Sequence, residues 1–63
     1  MATNWEHRVL TYPSKWKGFD LHQIEEDLNE LGRQGWETVS TIAPNIGPGQ
    51  TVEISIIVKR PRP

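Results

Sequence analysis

Few residues in this chain could do chemistry, and they are far apart. There are two histidines and no cysteine. A metal centre needs several ligands at short, regular spacing, and a general acid–base pair needs a second titratable group beside the first. His7 and His22 have no sequence partner with metal-ligand spacing, and no carboxylate or second histidine is paired with His7 by a visible motif. His7 therefore reads first as a strand residue and second as a ligand or proton carrier. Glu25, Glu26 and Asp27 are consecutive acids. On a helix, adjacent side chains diverge around the axis, so the run reads as a solvated face and not as one ion site. A calcium loop would need its own spacing and a glycine turn, which are absent. The chain has no thiolate nucleophile, no hydrolase elbow and no zinc motif. Expected catalytic residues, metal ligands and cofactors are therefore none.

Residues suited to binding are easier to find. Trp16 lies between Lys15 and Lys17, just before a helix start. Two ammonium groups and an aromatic face near the positive end of a helix dipole form a possible hook for an anion or a partner. The plainer reading is that Trp16 folds over the edge of a small core while the lysines stay in water. Asp20 already occupies the helix cap, and Gly18 stands alone without a phosphate-cradling glycine run. Ile46 sits in PNIGPGQ (44–50), an apolar residue at the tip of a turn segment. That segment is long for a tight hairpin and reads as a loop, with contact through Ile46 as its functional version. Trp5 and His7 complete the candidate binding set: Trp5, His7, Lys15, Trp16, Lys17 and Ile46.

The element that must position these groups is DLHQIEEDLNELGRQGW (20–36). Asp20 is a good N-cap, with its carboxylate accepting from the backbone N–H of Gln23. The Gln23 side chain is expected to reach back, giving a capping box. Phe19 and Ile24 have the spacing of a hydrophobic staple. Leu21, Ile24, Leu28 and Leu31 make an apolar stripe, with Gly32 and Gly35 within it. Gly32 on that stripe suggests a close approach by sheet or ring. Glu26, Asn29, Glu30 and Arg33 face water. Gly35 suits the left-handed residue of a Schellman cap, which brings Trp36 against Leu31. Asp20, Gly35 and Trp36 are thus structural residues.

Three strands surround this helix. WEHRVLTY (5–12) is β-branched and aromatic, and Pro13 ends it. Trp5, His7, Val9 and Thr11 share one face; Glu6, Arg8, Leu10 and Tyr12 share the other. Neither set is purely apolar. WETVSTIA (36–43) alternates poorly and allows a bulge or partial burial on both faces. TVEISIIVKR (51–60) is the clearest strand, with Val52, Ile54, Ile56 and Val58 aimed under the helix. The expected fold class is α+β, a single β-α-β-β domain over 1–63. Its three-stranded, mainly antiparallel sheet carries one helix on one face, with the third strand central. Leu10, Tyr12 and Ile57 are expected on the bare face. The proline-containing basic tail, 59–63, is expected to fray.

The string LNELGRQGWETVS (28–40), preceded by an aromatic and charged strand and followed by an apolar strand with a basic end, also carries a resemblance. It resembles the small bacterial proteins of domain-of-unknown-function family 4177, whose pattern is L-N-x-L-G-x-x-G-W-E-x-V-S. Thr38 stands where that family often has an apolar residue. The resemblance spans most of the chain and implies the β-α-β-β fold. It implies no activity.

Composition sets the remaining expectations. A chain of 63 residues buries only about 60% of its unfolded surface, and without disulfides the common remedy is oligomerisation. A net charge of −1 argues against a dedicated nucleic-acid binder. No apolar run reaches the length of a membrane span, and the N-terminus lacks signal-peptide character, so cytoplasm is the default. The leading expectation is a non-catalytic protein-interaction or self-assembly module, a homodimer or larger homo-oligomer with an unidentified protein partner possible. The alternative is a binder of small anionic metabolites with sites at subunit interfaces, using Trp5, His7, Trp16, Lys15 and Lys17. Nucleic-acid binding through Trp16 and the basic tail ranks third.

Overall fold

Asp20 starts the helix as its chemistry dictates. Its Oδ1 accepts from the Gln23 backbone N–H at 3.1 Å, and its carbonyl accepts from Ile24 N at 3.1 Å. The reciprocal half of the capping box does not form. The Gln23 side chain instead donates to Asp27 Oδ1 at 2.9 Å, one turn onward. The helix α1 runs over Leu21–Arg33. It ends in a Schellman cap: Trp36 N donates to Leu31 O at 3.0 Å and Gly35 N to Gly32 O at 3.0 Å. Gly35 has φ +93°, the left-handed region that a glycine enters cheaply. The cap delivers Trp36 beside Leu31, and both are buried.

The computed structural model describes residues 2–15, 18–43 and 53–62. Among them the sheet has three strands, β1 (Trp5–Pro13), β2 (Glu37–Ile42) and β3 (Glu53–Pro61). The order is β1-β3-β2, and β3 pairs antiparallel with both neighbours. The most apolar strand is thus central, as its composition demands. The fold is α+β. Its core is Ile24 and Leu31 from α1, Trp36, and Ile56 and Val58 from β3, with Val58 only 1% exposed. Fully burying one aliphatic side chain contributes about 1.5–3 kcal/mol, so a core of this size stabilises the domain narrowly. Leu10, Tyr12, Phe19 and Leu28 pack around it half-buried.

The register corrects several sequence expectations. Leu10 lies opposite Ile56 and Tyr12 opposite Ile54. Directly opposed residues share a face, so Leu10 and Tyr12 lie on the helix side and not on the bare face. Trp5, His7, Val9 and Thr11 occupy the bare face, with Ser55, Ile57 and Lys59 of β3. Ile57 is there as expected. Leu21 is 72% exposed. Around the axis it sits about 60° from Ile24, at the first turn, where Phe19 takes over the packing. Gly32 also misses the buried stripe, being about 80–100° from the Ile24–Leu31 line. Among the described residues a Cβ built on it meets nothing within 4 Å, so none of them approaches closely there.

Asp27, expected in a solvated acidic run, is half-buried and accepts the Tyr12 hydroxyl at 2.7 Å. That bond ties α1 to β1. The basic tail does not fray over its described part. Lys59, Arg60 and Pro61 belong to β3, and Arg62 N donates to Asn4 O at 2.8 Å. Of the two readings of β2, the bulge is present, between Thr38 and Ser40, and partial burial on both faces is not, since the strand is exposed throughout. The loop 44–50 and Val52 lie outside the described residues.

The Arg62–Asn4 bond also decides which backbone groups β1 leaves free. In an antiparallel ladder, residues that exchange hydrogen bonds alternate with residues that do not. Arg62 and Asn4 continue the Trp5–Pro61 register by one pair. Exchange with β3 therefore falls on Asn4, Glu6, Arg8, Leu10 and Tyr12. Trp5, His7, Val9 and Thr11 aim their N–H and C=O groups away from β3. Pro13 follows the same parity, so its missing N–H costs the ladder nothing.

Candidate interaction surfaces

Three surfaces stand out, and β1 belongs to all of them. The first is the bare sheet face. Val9 is 61% exposed, Ile42 50% and Trp5 41%. Val9 lies opposite Ile57, and Ile42 lies opposite Ser55. The face is therefore an apolar patch divided by polar rows. One row runs His7, Lys59, Glu37 across the three strands. Lys59 Nζ is 3.6 Å from Glu37 Oε1 and 4.0 Å from the centroid of the Trp5 ring. Thr11 and Ser55 share a hydroxyl–hydroxyl bond of 3.2 Å.

The second surface is the outer edge of β1. Among the described residues nothing pairs with it. The two sheet edges differ. β2 is six residues long, exposed throughout and broken by its bulge. β1 is nine residues long and pairs with β3 in one unbroken register. Bulges and short length protect an edge from strand addition, and β1 has neither.

The third surface is a groove of about 260 Å³ between β1 and α1, lined by Arg8, Leu10, Asp27, Glu30 and Leu31. The helix approaches β2 more closely than β1, and the inner face of β1 is left half covered. The Tyr12 hydroxyl in its bond to Asp27 is pushed up to about 12, first by desolvation and then by the hydrogen bond and charge of Asp27. A larger concavity of about 440 Å³ is lined by Glu26, Asp27, Asn29, Glu30 and Arg33. All five are on one helix, so it is the open solvent side of α1 and encloses nothing.

Beside these surfaces lies a structural cluster that spacing alone did not reveal. The Arg60 guanidinium stacks over Trp36 with Cζ 4.5 Å from the ring centroid, and Arg8 approaches the same ring at 5.6 Å. Arg60 donates from Nε to Glu6 and from Nη1 to the Gln34 carbonyl at 3.1 Å. Gln34 is the helix C-cap, where a cation complements the dipole. The Arg60 hydrogen bond holds the Glu6 carboxyl below the usual carboxylate range; partial burial opposes this, and the charges of Arg60 and Arg62 add to it. Glu6 and Arg8 of β1 are thus charged yet lie on the helix side, Glu6 paired with Arg60 and Arg8 beside the buried Trp36 ring. A signal was present in the sequence: Glu6 and Arg60 sit at the outer ends of two strands that must pair antiparallel.

The expected binding residues do not form one site within a chain. Trp5 and His7 lie at the start of β1, while Lys15 follows its end, about 27 Å from His7 and about 34 Å from Trp5 at strand rise. Lys15 and Gly18 exchange two backbone hydrogen bonds, of 2.8 and 2.7 Å. Trp16, Lys17 and Ile46 lie outside the described residues. The structural trio is placed as expected: Asp20 at the N-cap, Gly35 at the Schellman glycine, Trp36 in the core. Among the described residues no three His, Cys, Asp or Glu side chains gather as metal ligands, and no helix is long and apolar enough to cross a membrane.

No curated protein and no solved structure matches this chain. One family does, described as Domain of unknown function (DUF4177), and it matches residues 5–61. That span takes in all three strands, the helix, the Schellman turn and the Glu6–Arg60–Trp36 cluster. The chain belongs to this family.

Proposed function

We propose that this protein is a non-catalytic interaction module of the bacterial cytoplasm that acts by self-assembly. The observation that supports it most is the unblunted edge of β1, nine residues of strand with outward N–H and C=O groups on a domain whose buried core has five members among the described residues. Free strand edges recruit other strands, and small cores gain stability by association. The apolar bare face beside that edge, with Trp5, Val9 and Ile42 exposed, enlarges the surface available to a partner. An anionic ligand fits the β1–α1 groove poorly, since Asp27 and Glu30 face a single Arg8 there.

Sedimentation equilibrium on the tag-free protein at micromolar concentration tests the reading. The expected result is a mass of two or more chains. A monomer that stays a monomer up to millimolar concentration would overturn it.

A further inference from the structure

We infer that the partner at the β1 edge is a second copy of this chain, paired antiparallel about a two-fold axis through Val9. This rests on the self-assembly reading above and specifies its surface and register. A two-fold axis normal to the sheet makes the two β1 strands antiparallel and leaves both helices on the same side. It must then pass through a residue of β1. Val9 is the midpoint of Trp5–Pro13, so this centre pairs the whole strand.

The parity of the ladder favours this centre. Val9 aims its backbone groups outward, so it exchanges two hydrogen bonds with its own copy. His7 exchanges two with Thr11 of the second copy, and Trp5 N–H donates to the second Pro13 carbonyl. With the symmetric set, the joint holds roughly eight backbone hydrogen bonds. Pro13 sits where it needs only to accept.

The side chains are compatible in this register. On the bare face Val9 meets Val9, His7 meets Thr11 and the Trp5 ring meets Pro13. On the helix side Arg8 lies opposite Leu10, and Glu6 opposite Tyr12. Leu10 lines the groove whose other wall carries Asp27 and Glu30. The Arg8 guanidinium of one copy therefore arrives beside two carboxylates of the other. Moving the centre to Arg8 sets two guanidinium groups directly opposite each other, a destabilising like-charge pair. Moving it to Leu10 sets His7 against Pro13 and loses a hydrogen bond from each pair. The Val9 register also places Trp5 next to the segment that leads to Lys15 of the other copy, joining residues that are far apart in one chain.

The absence of cysteine makes a cross-linking scan clean. Single-cysteine variants Val9→Cys, His7→Cys and Thr11→Cys are oxidised alone and in mixture. The expected result is a covalent dimer for Val9→Cys alone. The His7→Cys and Thr11→Cys variants should give most of their product only when mixed. Opposed Cα atoms in such pairs are about 5.5 Å apart, within disulfide reach. Val9→Pro removes no bond to β3 yet blocks the edge, and should halve the sedimenting mass. Ile42→Lys, on the bare face, should leave the dimer intact. A dimer that lacks the His7–Thr11 cross-link, or that survives Val9→Pro and is lost in Ile42→Lys, overturns this register and leaves self-assembly standing, through the bare faces. A wild-type monomer overturns both.

Discussion

Arg60→Ala asks whether the basic end of β3 is part of the fold. The guanidinium lies 4.5 Å from the Trp36 centroid, and its side chain is 37% exposed. A partly desolvated cation–π contact of this kind contributes about 1 kcal/mol. The bond to the Gln34 carbonyl, 3.1 Å long and at the helix C-terminus, contributes about 1 kcal/mol more. Removing the side chain should therefore cost about 2 kcal/mol. A domain of this length has a total stability of about 3–9 kcal/mol, so the loss is a large share. At about 4–8 °C per kcal/mol, the melting midpoint should fall by about 8–16 °C. Far-UV circular dichroism under heat and urea is the assay, because three tryptophans blur the fluorescence signal. Arg60→Lys keeps the charge, but one ammonium cannot meet ring, carboxylate and carbonyl together, so about half the loss should remain. The variant also reports on acid. Glu6 is held below its usual value of 4.5 in the folded state. Its contribution is present above the unfolded value and disappears as pH falls through the lower, folded one. Arg60→Ala should flatten that slope. A midpoint change under about 2 °C for Arg60→Ala, or an Arg60→Lys variant equal to wild type, would refute this account of the cluster.

Two further perturbations follow from local geometry. Tyr12 has a folded-state value of about 12 against 10.0 ordinarily, so its stabilising share is intact below pH 10 and declines as pH rises toward 12; Tyr12→Phe should cost about 1 kcal/mol at neutral pH and remove that alkaline decline in urea titrations. The two helix-end glycines should respond oppositely to alanine. Gly32→Ala, at an exposed helical position with open space around it, should stabilise by about 0.5 kcal/mol, whereas Gly35→Ala, at φ +93°, should destabilise by about 1–2 kcal/mol. Equal effects of the two in thermal melts would contradict the Schellman assignment.

The helix and the central strand were legible because each carries its own local signals. Asp20, the leucine spacing and Gly35 mark α1, and strict alternation marks β3. The face that β1 turns to the core was not legible, because each alternate set mixes apolar and charged residues. Its polarity depends on partners distant in sequence: Glu6 on Arg60, and Arg8 on Trp36. Local pattern reads Glu6 and Arg8 as outward because it cannot see Arg60 pairing with Glu6 or the Trp36 ring beside Arg8. The same holds for Asp27, which looks solvated until Tyr12 arrives from another element. Gly32 misled for a different reason. A glycine near a stripe suggests crowding, yet an angular offset of one residue was enough to turn it to solvent. The candidate edge follows from register and hydrogen-bond parity, which no single segment contains.

The bulge in β2 has a consequence for valence. A unit with two adhesive edges is like a bifunctional monomer and grows without limit, whereas a unit with one reacts once and stops. Val39 is the extra residue that shifts the β2–β3 register between Thr38 and Ser40; such a bulge bends the strand, breaks the regular spacing of its outer edge and so removes the second reactive end. Two copies joined at β1 would present only bulged strands at both ends of a six-stranded sheet. Assembly would then terminate at a fixed stoichiometry, without a cap protein or a covering helix. Straightening that strand by deleting Val39 would restore bifunctionality, and filaments would replace discrete particles.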